Sequence, residues 1–194
     1  MSAFIHDYCK VYPNHLGEDI CDELIAMFKW KPDLHIRYDD DGFPNMTQLN
    51  FTQHKDIHPK LHQYLVERAF DGIERYRKEV PETRFWPKKF AFEEFRIKHY
   101  SDGWNHPNRQ SIDRFDEHID SNDLISGKRF MIFFWYLNRP ESGGNTCITN
   151  INLHYEPAKG KLLMFPPFWM YPHTGEPVLK GDKYLLSSYM HYSE

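Results

Sequence analysis

Cysteine is scarce in this 194-residue chain, and its charges nearly balance. The three cysteines, Cys9, Cys21 and Cys147, are scattered, which excludes a disulfide framework or a structural zinc site built on cysteine pairs. The net charge of −4 predicts no broad surface for nucleic acid or an anionic membrane. The longest apolar run, Phe130–Leu137, is too short to cross a bilayer. Since no signal-peptide pattern is found either, we expect a cytoplasmic protein.

Several catalytic signatures are also missing. The chain has no glycine-rich dinucleotide or phosphate loop and no GxSxG motif, which excludes the common nucleotide-binding and serine-hydrolase patterns. Histidine and aromatic residues are plentiful instead, with 12 histidines and 16% aromatic residues. With 40% hydrophobic residues, the composition predicts one globular domain over residues 1–194.

The first half of the chain has the apolar spacing of helices. Glu18–Lys29 repeats apolar residues on one helical face, and a second stripe runs to about Val80. We expect Asp56 to cap this second helix, and the acidic segment Asp39–Pro44 to form a loop between the two helices. Residues 1–85 are therefore predicted to be a helical support region.

The second half is rich in aromatic and β-branched residues, in short runs that glycine and proline separate. These runs predict strands over Lys89–Tyr100, Arg129–Asn138, Thr146–Ile151, Lys161–Phe165 and Lys183–Tyr192. Short strands at this spacing are typical of a barrel or sandwich, and the element order predicts helices on one face of it. We expect an α+β, mainly β fold with its β core over residues 86–194.

A candidate metal site consists of His118, Asp120 and His173. Two imidazoles and one carboxylate leave metal positions open, as Fe(II) oxygenases require for O2 and a chelating co-substrate. Residues two apart on a strand point to the same side, so His118 and Asp120 can both face a barrel interior. The HxD pattern alone is weak, because His54-Lys55-Asp56 repeats it.

Lys183 lies ten residues after His173, at the predicted start of the last strand. A lysine inside a barrel is costly unless an anion pairs with it. A dicarboxylate co-substrate could chelate the metal with one end and meet Lys183 with the other.

Taken together, these motifs resemble the prolyl 4-hydroxylase branch of the 2-oxoglutarate/Fe(II) dioxygenases. The similarity runs from Phe90 to the C-terminus and rests on Phe115–Asp120, Arg129–Asn138, Gly143–Thr146, Pro157–Pro166 and His173–Tyr184. It implies a double-stranded β-helix, a jelly-roll or cupin-like barrel, buttressed by the N-terminal helices. It also implies Fe(II), 2-oxoglutarate and O2, with ascorbate as a further candidate cofactor.

The resemblance also implies roles for individual residues. His118, Asp120 and His173 would hold Fe(II), and Lys183 would bind the distal carboxylate of 2-oxoglutarate. Tyr136 resembles a tyrosine that hydrogen-bonds the same carboxylate; a purely packing role in the core is the alternative.

Two further assignments are less specific. Tyr100 resembles a tyrosine near the metal-bound end of the co-substrate, and Arg129 resembles a residue that borders the substrate channel in some relatives. A packing aromatic and an exposed arginine at the start of a strand are the respective alternatives. Tyr189 stands where relatives often carry tryptophan.

The Ser101–Glu117 segment is longer than in most relatives and is a candidate lid or substrate loop, because long loops often carry function. Three of its side chains stand out as candidates: Trp104, His106 and Arg109.

The implied reaction is hydroxylation of a C–H bond with release of succinate and CO2, with proline in a protein or peptide as the leading substrate. The same chemistry on a free amino acid or small metabolite is one alternative. A non-catalytic β-barrel that binds a ligand or serves as an adaptor is another, because fold alone does not define function. A zinc hydrolase on the same triad would need a general base beside the metal.

Overall fold

The computed structural model describes residues 4–39, 44–104 and 112–193. Within these ranges the chain forms two α-helices, α1 (Glu18–Trp30) and α2 (Pro59–Glu79), and is otherwise mainly antiparallel strand. The strands are β1 (Lys10–Tyr12), β2 (His35–Asp39), β3 (Asn45–Asn50), β4 (Phe90–Phe92), β5 (Arg96–Tyr100), β6 (Phe115–His118), β7 (Arg129–Tyr136), β8 (Ser142–Gly143), β9 (Thr146–Ile148), β10 (Leu153–Tyr155), β11 (Leu162–Phe165), β12 (His173–Gly175), β13 (Val178–Lys180) and β14 (Lys183–Tyr192). The expectation of a mainly β fold is confirmed.

Both predicted helices are present. α1 begins at Glu18 as expected and ends one residue beyond Lys29. α2 begins at Pro59 with His58 at its N-cap, so the prediction of a cap at Asp56 is wrong. The reason is that proline fits the first helical position, where its missing N–H costs no hydrogen bond. Over the described ranges, no helix is both long enough and apolar enough to span a membrane.

The first half also supplies strands that the helical prediction omits. β2 and β3 form an antiparallel hairpin across the predicted 39–44 loop, of which residues 40–43 lie outside the described residues. β3 pairs in turn with β5, and β1 adds to the other edge of the same sheet. These strands are short and largely polar, so they lack the apolar alternation that identifies a strand in sequence. The first 85 residues therefore contribute to the sheet as well as supporting it.

Two sheets build the framework of the site. The large sheet has the order β1-β11-β7-β14-β5-β3-β2, with β4 paired to β14, and the small sheet has the order β10-β9-β12-β6. Across the described part of the chain both sheets are open rather than closed into a barrel. The expected double-stranded β-helix is thus present as two facing sheets, while the expected closed barrel is not.

Strand β7 contributes side chains to two different hydrophobic cores, one on each face of the large sheet. Its successive side chains point to opposite faces, so Phe133 and Trp135 belong to the core beneath the helices. Ile132, Phe134 and Tyr136 belong instead to the core between the two sheets. This alternation places one row of β7 side chains toward the cavity described next.

Candidate active site

His118, Asp120 and His173 meet at one end of the small sheet. His118 ends β6 and His173 begins β12, and the two residues are directly paired between these strands. The Asp120 carboxylate lies between the imidazoles, with Oδ1 3.7 Å from Nε2 of His118 and Oδ2 3.3 Å from Nε2 of His173. One ligand atom from each residue lies within 4.8 Å of the others, so the three side chains can hold a metal ion.

Backbone carbonyls fix the orientation of both imidazoles. Nδ1 of His118 lies 2.7 Å from the carbonyl oxygen of Asp116, and Nδ1 of His173 lies 3.1 Å from that of Tyr171. A carbonyl can only accept, so each Nδ1 carries the proton and each Nε2 presents its lone pair to the centre. This is the tautomer that a metal ion requires.

The chemistry of the three ligands fits a divalent cation. Within the described residues, Oδ2 of Asp120 and Nε2 of His173 are buried without a hydrogen-bond partner. Burial, reinforced by His173, lowers the pKa of His118 to about 4, so its imidazole is neutral at neutral pH. Burial opposes ionisation of Asp120, but the surrounding imidazoles and Lys98 hold its pKa well below the ordinary value. Neutral imidazoles and an ionised carboxylate are the metal-binding forms.

A small cavity extends from the imidazoles into the space between the sheets. Lys183 lies in it and is only 1% exposed. Its ammonium donates a 2.5 Å hydrogen bond to the carbonyl of Gly144 and lies over the rings of Tyr100 and Tyr136, 5.1 and 5.7 Å from their centroids. Burial lowers the pKa of Lys183 to about 7. A cation held in this way attracts an anion that enters the cavity.

The two predicted tyrosines lie beside Lys183. Tyr136 is fully buried, and its hydroxyl donates a 2.8 Å hydrogen bond to Oγ1 of Thr146. Tyr100 lines the cavity directly and pairs with Lys183 between β5 and β14. The structure therefore brings both rings to the co-substrate end of the predicted site.

The guanidinium of Arg129 is already paired with other protein groups. Its guanidinium forms two hydrogen bonds with the carboxylate of Glu93, of 2.6 and 2.9 Å, and donates a third to the carbonyl of Asp120. It also stacks over the ring of Tyr189, whose hydroxyl donates to Oδ1 of Asp120. Arg129 thus supports the backbone of Asp120, and its predicted substrate contact stays a prediction.

A wider groove lies on the other side of the candidate metal ligands. It opens to solvent and is lined by Ile119, Ile125 and Arg129 as well as by His118 and Asp120. The centre therefore lies between an inner cavity and an outer groove.

The predicted 101–117 loop is shorter than expected at its far end, because strand β6 begins at Phe115. Trp104 is 66% exposed, whereas His106 and Arg109 lie outside the described residues. The proposed lid role of this loop stays a prediction.

Sequence reasoning did not identify Lys98. Its side chain is only 7% exposed, and it lines the same inner cavity as Lys183. The available signal was its position two residues before Tyr100, which places both side chains on one face of β5.

A second group of possible ligands lies on the small sheet. Cys147, His154 and Glu176 are within ligand distance of one another. His154 already bridges its neighbours, with Nδ1 2.8 Å from Glu176 and Nε2 3.6 Å from the Cys147 sulfur. These contacts satisfy the three side chains without an ion.

Residues 106–191 match the model of the 2OG-Fe(II) oxygenase superfamily. A search of curated proteins finds no match. Among solved structures, the viral collagen prolyl hydroxylase of Paramecium Bursaria Chlorella virus-1 has a TM-score of 0.71 at 20% identity, covering 96% of this chain and 97% of that one. A Pseudomonas putida prolyl-4-hydroxylase has a TM-score of 0.66 at 16% identity, with coverage of 96% and 94%. A Trichoplax adhaerens prolyl hydroxylase, in complex with a hypoxia inducible factor peptide fragment, has a TM-score of 0.73 at 15% identity, with coverage of 95% and 84%.

The matched segment contains the three candidate metal ligands and Lys183. Residues 106–191 therefore match the 2OG-Fe(II) oxygenase superfamily, which is the superfamily that the sequence resemblance predicts. The solved structures, at 15–20% identity, show that the whole chain shares the fold of prolyl hydroxylases.

Proposed function

We propose that this protein is a 2-oxoglutarate- and Fe(II)-dependent dioxygenase that hydroxylates a C–H bond in a protein or peptide, with a prolyl residue as the leading target. In the balanced reaction, 2-oxoglutarate and O2 are consumed, one oxygen atom enters the substrate, and succinate and CO2 are released. The observation that carries the proposal is the meeting of His118, Asp120 and His173 at the mouth of a cavity that contains Lys183.

In this proposal, different residues bind the metal ion, orient its ligands and bind the co-substrate. Fe(II), when bound by the triad, would supply the activation of O2 that no side chain provides. Asp120 supplies the negative charge of the ligand set, and the carbonyls of Asp116 and Tyr171 keep the histidines in the binding tautomer. Lys183 would pair with the distal carboxylate of 2-oxoglutarate.

The walls of the inner cavity favour a dry co-substrate pocket. Phe134 and Leu185 line it together with the ring of Tyr100. Charge pairing between Lys183 and a carboxylate is stronger in such a low-dielectric space than in water.

The outer groove supports a substrate that extends beyond the reacting residue. It opens to solvent beside Asp120, and Ile125 at its edge is 78% exposed. An extended chain can lie in an open groove, whereas a free amino acid is better held in a closed pocket. The Trichoplax enzyme was solved with a peptide fragment, which agrees with this choice.

The test is succinate formation from 2-oxoglutarate and O2 by the Fe(II)-loaded protein, with and without proline-containing peptides. We expect His118→Ala to abolish turnover, because one of three metal ligands is lost. Lys183→Ala should raise the KM for 2-oxoglutarate by roughly 10–100-fold, the value of a buried charge-assisted hydrogen bond. Mass spectrometry should find one added oxygen on a peptide.

Lys180→Ala is the matched control, because Lys180 is exposed and pairs with Glu141 outside the cavity. It should leave turnover unchanged. Turnover that survives His118→Ala would contradict the oxygenase proposal. Oxygen added to free proline or another small metabolite, with peptides inert, would contradict the peptide substrate and favour the metabolite alternative.

A further inference from the structure

The inner cavity contains a second buried lysine, Lys98, to which the proposed function assigns no role. Lys98 lies on β5, next to Leu185 of β14 and Gln48 of β3 in the sheet register. Its side chain lines the cavity together with His118, His173 and Lys183.

Among the described residues, the carboxylate of Asp120 favours the charged form of this lysine from a distance but forms no direct ion pair with it. The structure shows no ion pair or hydrogen bond to its ammonium there; the ammonium lies over the ring of Phe134, 5.8 Å from the centroid. A buried cation without a direct partner is unfavourable by several kcal/mol on general grounds, so such groups normally face a ligand or a counter-ion.

Lys98 and Lys183 are diagonal neighbours on one face of the sheet. Lys183 pairs with Tyr100, and Lys98 is two residues from Tyr100 on the same strand. Diagonal neighbours of this kind are about 7–8 Å apart, so two long side chains can both reach one small ligand. Each ammonium also destabilises the other, because like charges in a low-dielectric cavity repel.

We propose that Lys98 and Lys183 together form a two-cation site for a dicarboxylate, one lysine for each carboxylate. The inference rests on the proposed function in one respect: the physiological dicarboxylate would be 2-oxoglutarate. Lys183 binds its distal carboxylate, and Lys98 binds the carboxylate at the metal end.

This arrangement has a consequence that a single lysine would not have. The protein can hold a dicarboxylate before a metal ion is bound, because both carboxylates have a protein cation. Succinate, which keeps both carboxylates, should bind by the same contacts, whereas acetate offers only one.

The experiment measures binding of 2-oxoglutarate, succinate and acetate by calorimetry, using the full chain in the presence of a metal chelator. We expect both dicarboxylates to bind the native protein and acetate to bind much more weakly. Lys98→Met and Lys183→Met should each weaken succinate binding by roughly 10–100-fold, the effect of losing one charge-assisted hydrogen bond. Lys98→Arg, which keeps the cation, should retain most of the affinity and covers the case in which the methionine variant fails to fold.

Lys161→Met is the control, because Lys161 bonds the carbonyl of Glu156 away from the cavity. Succinate affinity that is equal in the native protein and in Lys98→Met would overturn the proposal, as would equal loss in Lys98→Arg and Lys98→Met. Failure of the proposed function is distinguishable: dicarboxylates would then bind through both lysines, but the Fe(II)-loaded protein would form no succinate.

Discussion

At the residue scale, Tyr189 connects Asp120, a candidate metal ligand, to the large sheet. Its hydroxyl lies 3.1 Å from Oδ1 of Asp120, and the ring lies beneath the guanidinium of Arg129, 4.1 Å from the centroid. Arg129 in turn bonds the Asp120 carbonyl. Asp120 is therefore held at its side chain by Tyr189, which is buried, and at its backbone by Arg129, which is paired with Glu93.

We predict that Tyr189→Phe weakens the binding of Mn(II) or Co(II) by about 10–100-fold, the usual effect of losing a hydrogen bond to a metal ligand. The ring and its packing remain, so the free energy of unfolding should change by only ~1 kcal/mol. Calorimetric metal titration measures the first quantity and urea unfolding the second.

Tyr184→Phe provides the control for Tyr189→Phe. Tyr184 lies on the same strand but in the core beneath the helices, and it stacks on His99. Metal affinity that falls equally in both variants would show that the Tyr189 hydroxyl has no specific role.

At the element scale, successive side chains of β7 point to opposite faces of the sheet, so neighbouring residues contribute to different regions. Phe133 faces the helix-covered core, and Phe134, the next residue, lines the inner cavity. Both rings are buried, so both contribute to folding, but only one contacts the space that a co-substrate would fill.

We predict that Phe133→Ala and Phe134→Ala each lower the free energy of unfolding by about 3–5 kcal/mol, the typical cost of truncating a buried phenylalanine. Only Phe134→Ala should also change the affinity for 2-oxoglutarate. Leucine at each position gives a milder pair if the alanine variants do not fold. An equal loss of 2-oxoglutarate affinity in the Phe133 and Phe134 variants would contradict the prediction, because it would show that affinity follows overall stability and not contact with the cavity.

The same alternation decides which elements the sequence could predict. β14 has a long run of aromatic and aliphatic residues, and its bounds, Lys183–Tyr192, agree with the prediction. The hairpin of β2 and β3 is polar and depends on pairing with β5, a long-range contact that a local pattern does not contain. Its strands were therefore missed.

The candidate site divides in the same way. His118, Asp120, His173 and Lys183 could be found because residue type and spacing along the chain carry their chemistry. Lys98 could not be singled out, because its role depends on burial and on facing Lys183, and both arise only when β5 and β14 pair.

At the scale of the whole molecule, two facing sheets create two spaces that meet at the triad. The helices cover the outer face of the large sheet, which leaves the face between the sheets for the inner cavity. The small sheet carries both histidines, and the large sheet carries both lysines. The site therefore depends on the sheets being held at a fixed separation, which the shared core between them provides.

The most direct test of this account is an anaerobic titration of the Fe(II)-loaded protein with 2-oxoglutarate, followed by the visible charge-transfer absorption of the chelate. We predict a saturable band with one co-substrate per chain, absent in His173→Ala and displaced to roughly 10–100-fold higher concentration in Lys183→Ala. An Fe(II)-loaded native protein that develops no such band, or a band that His173→Ala leaves unchanged, would contradict the assignment of this centre.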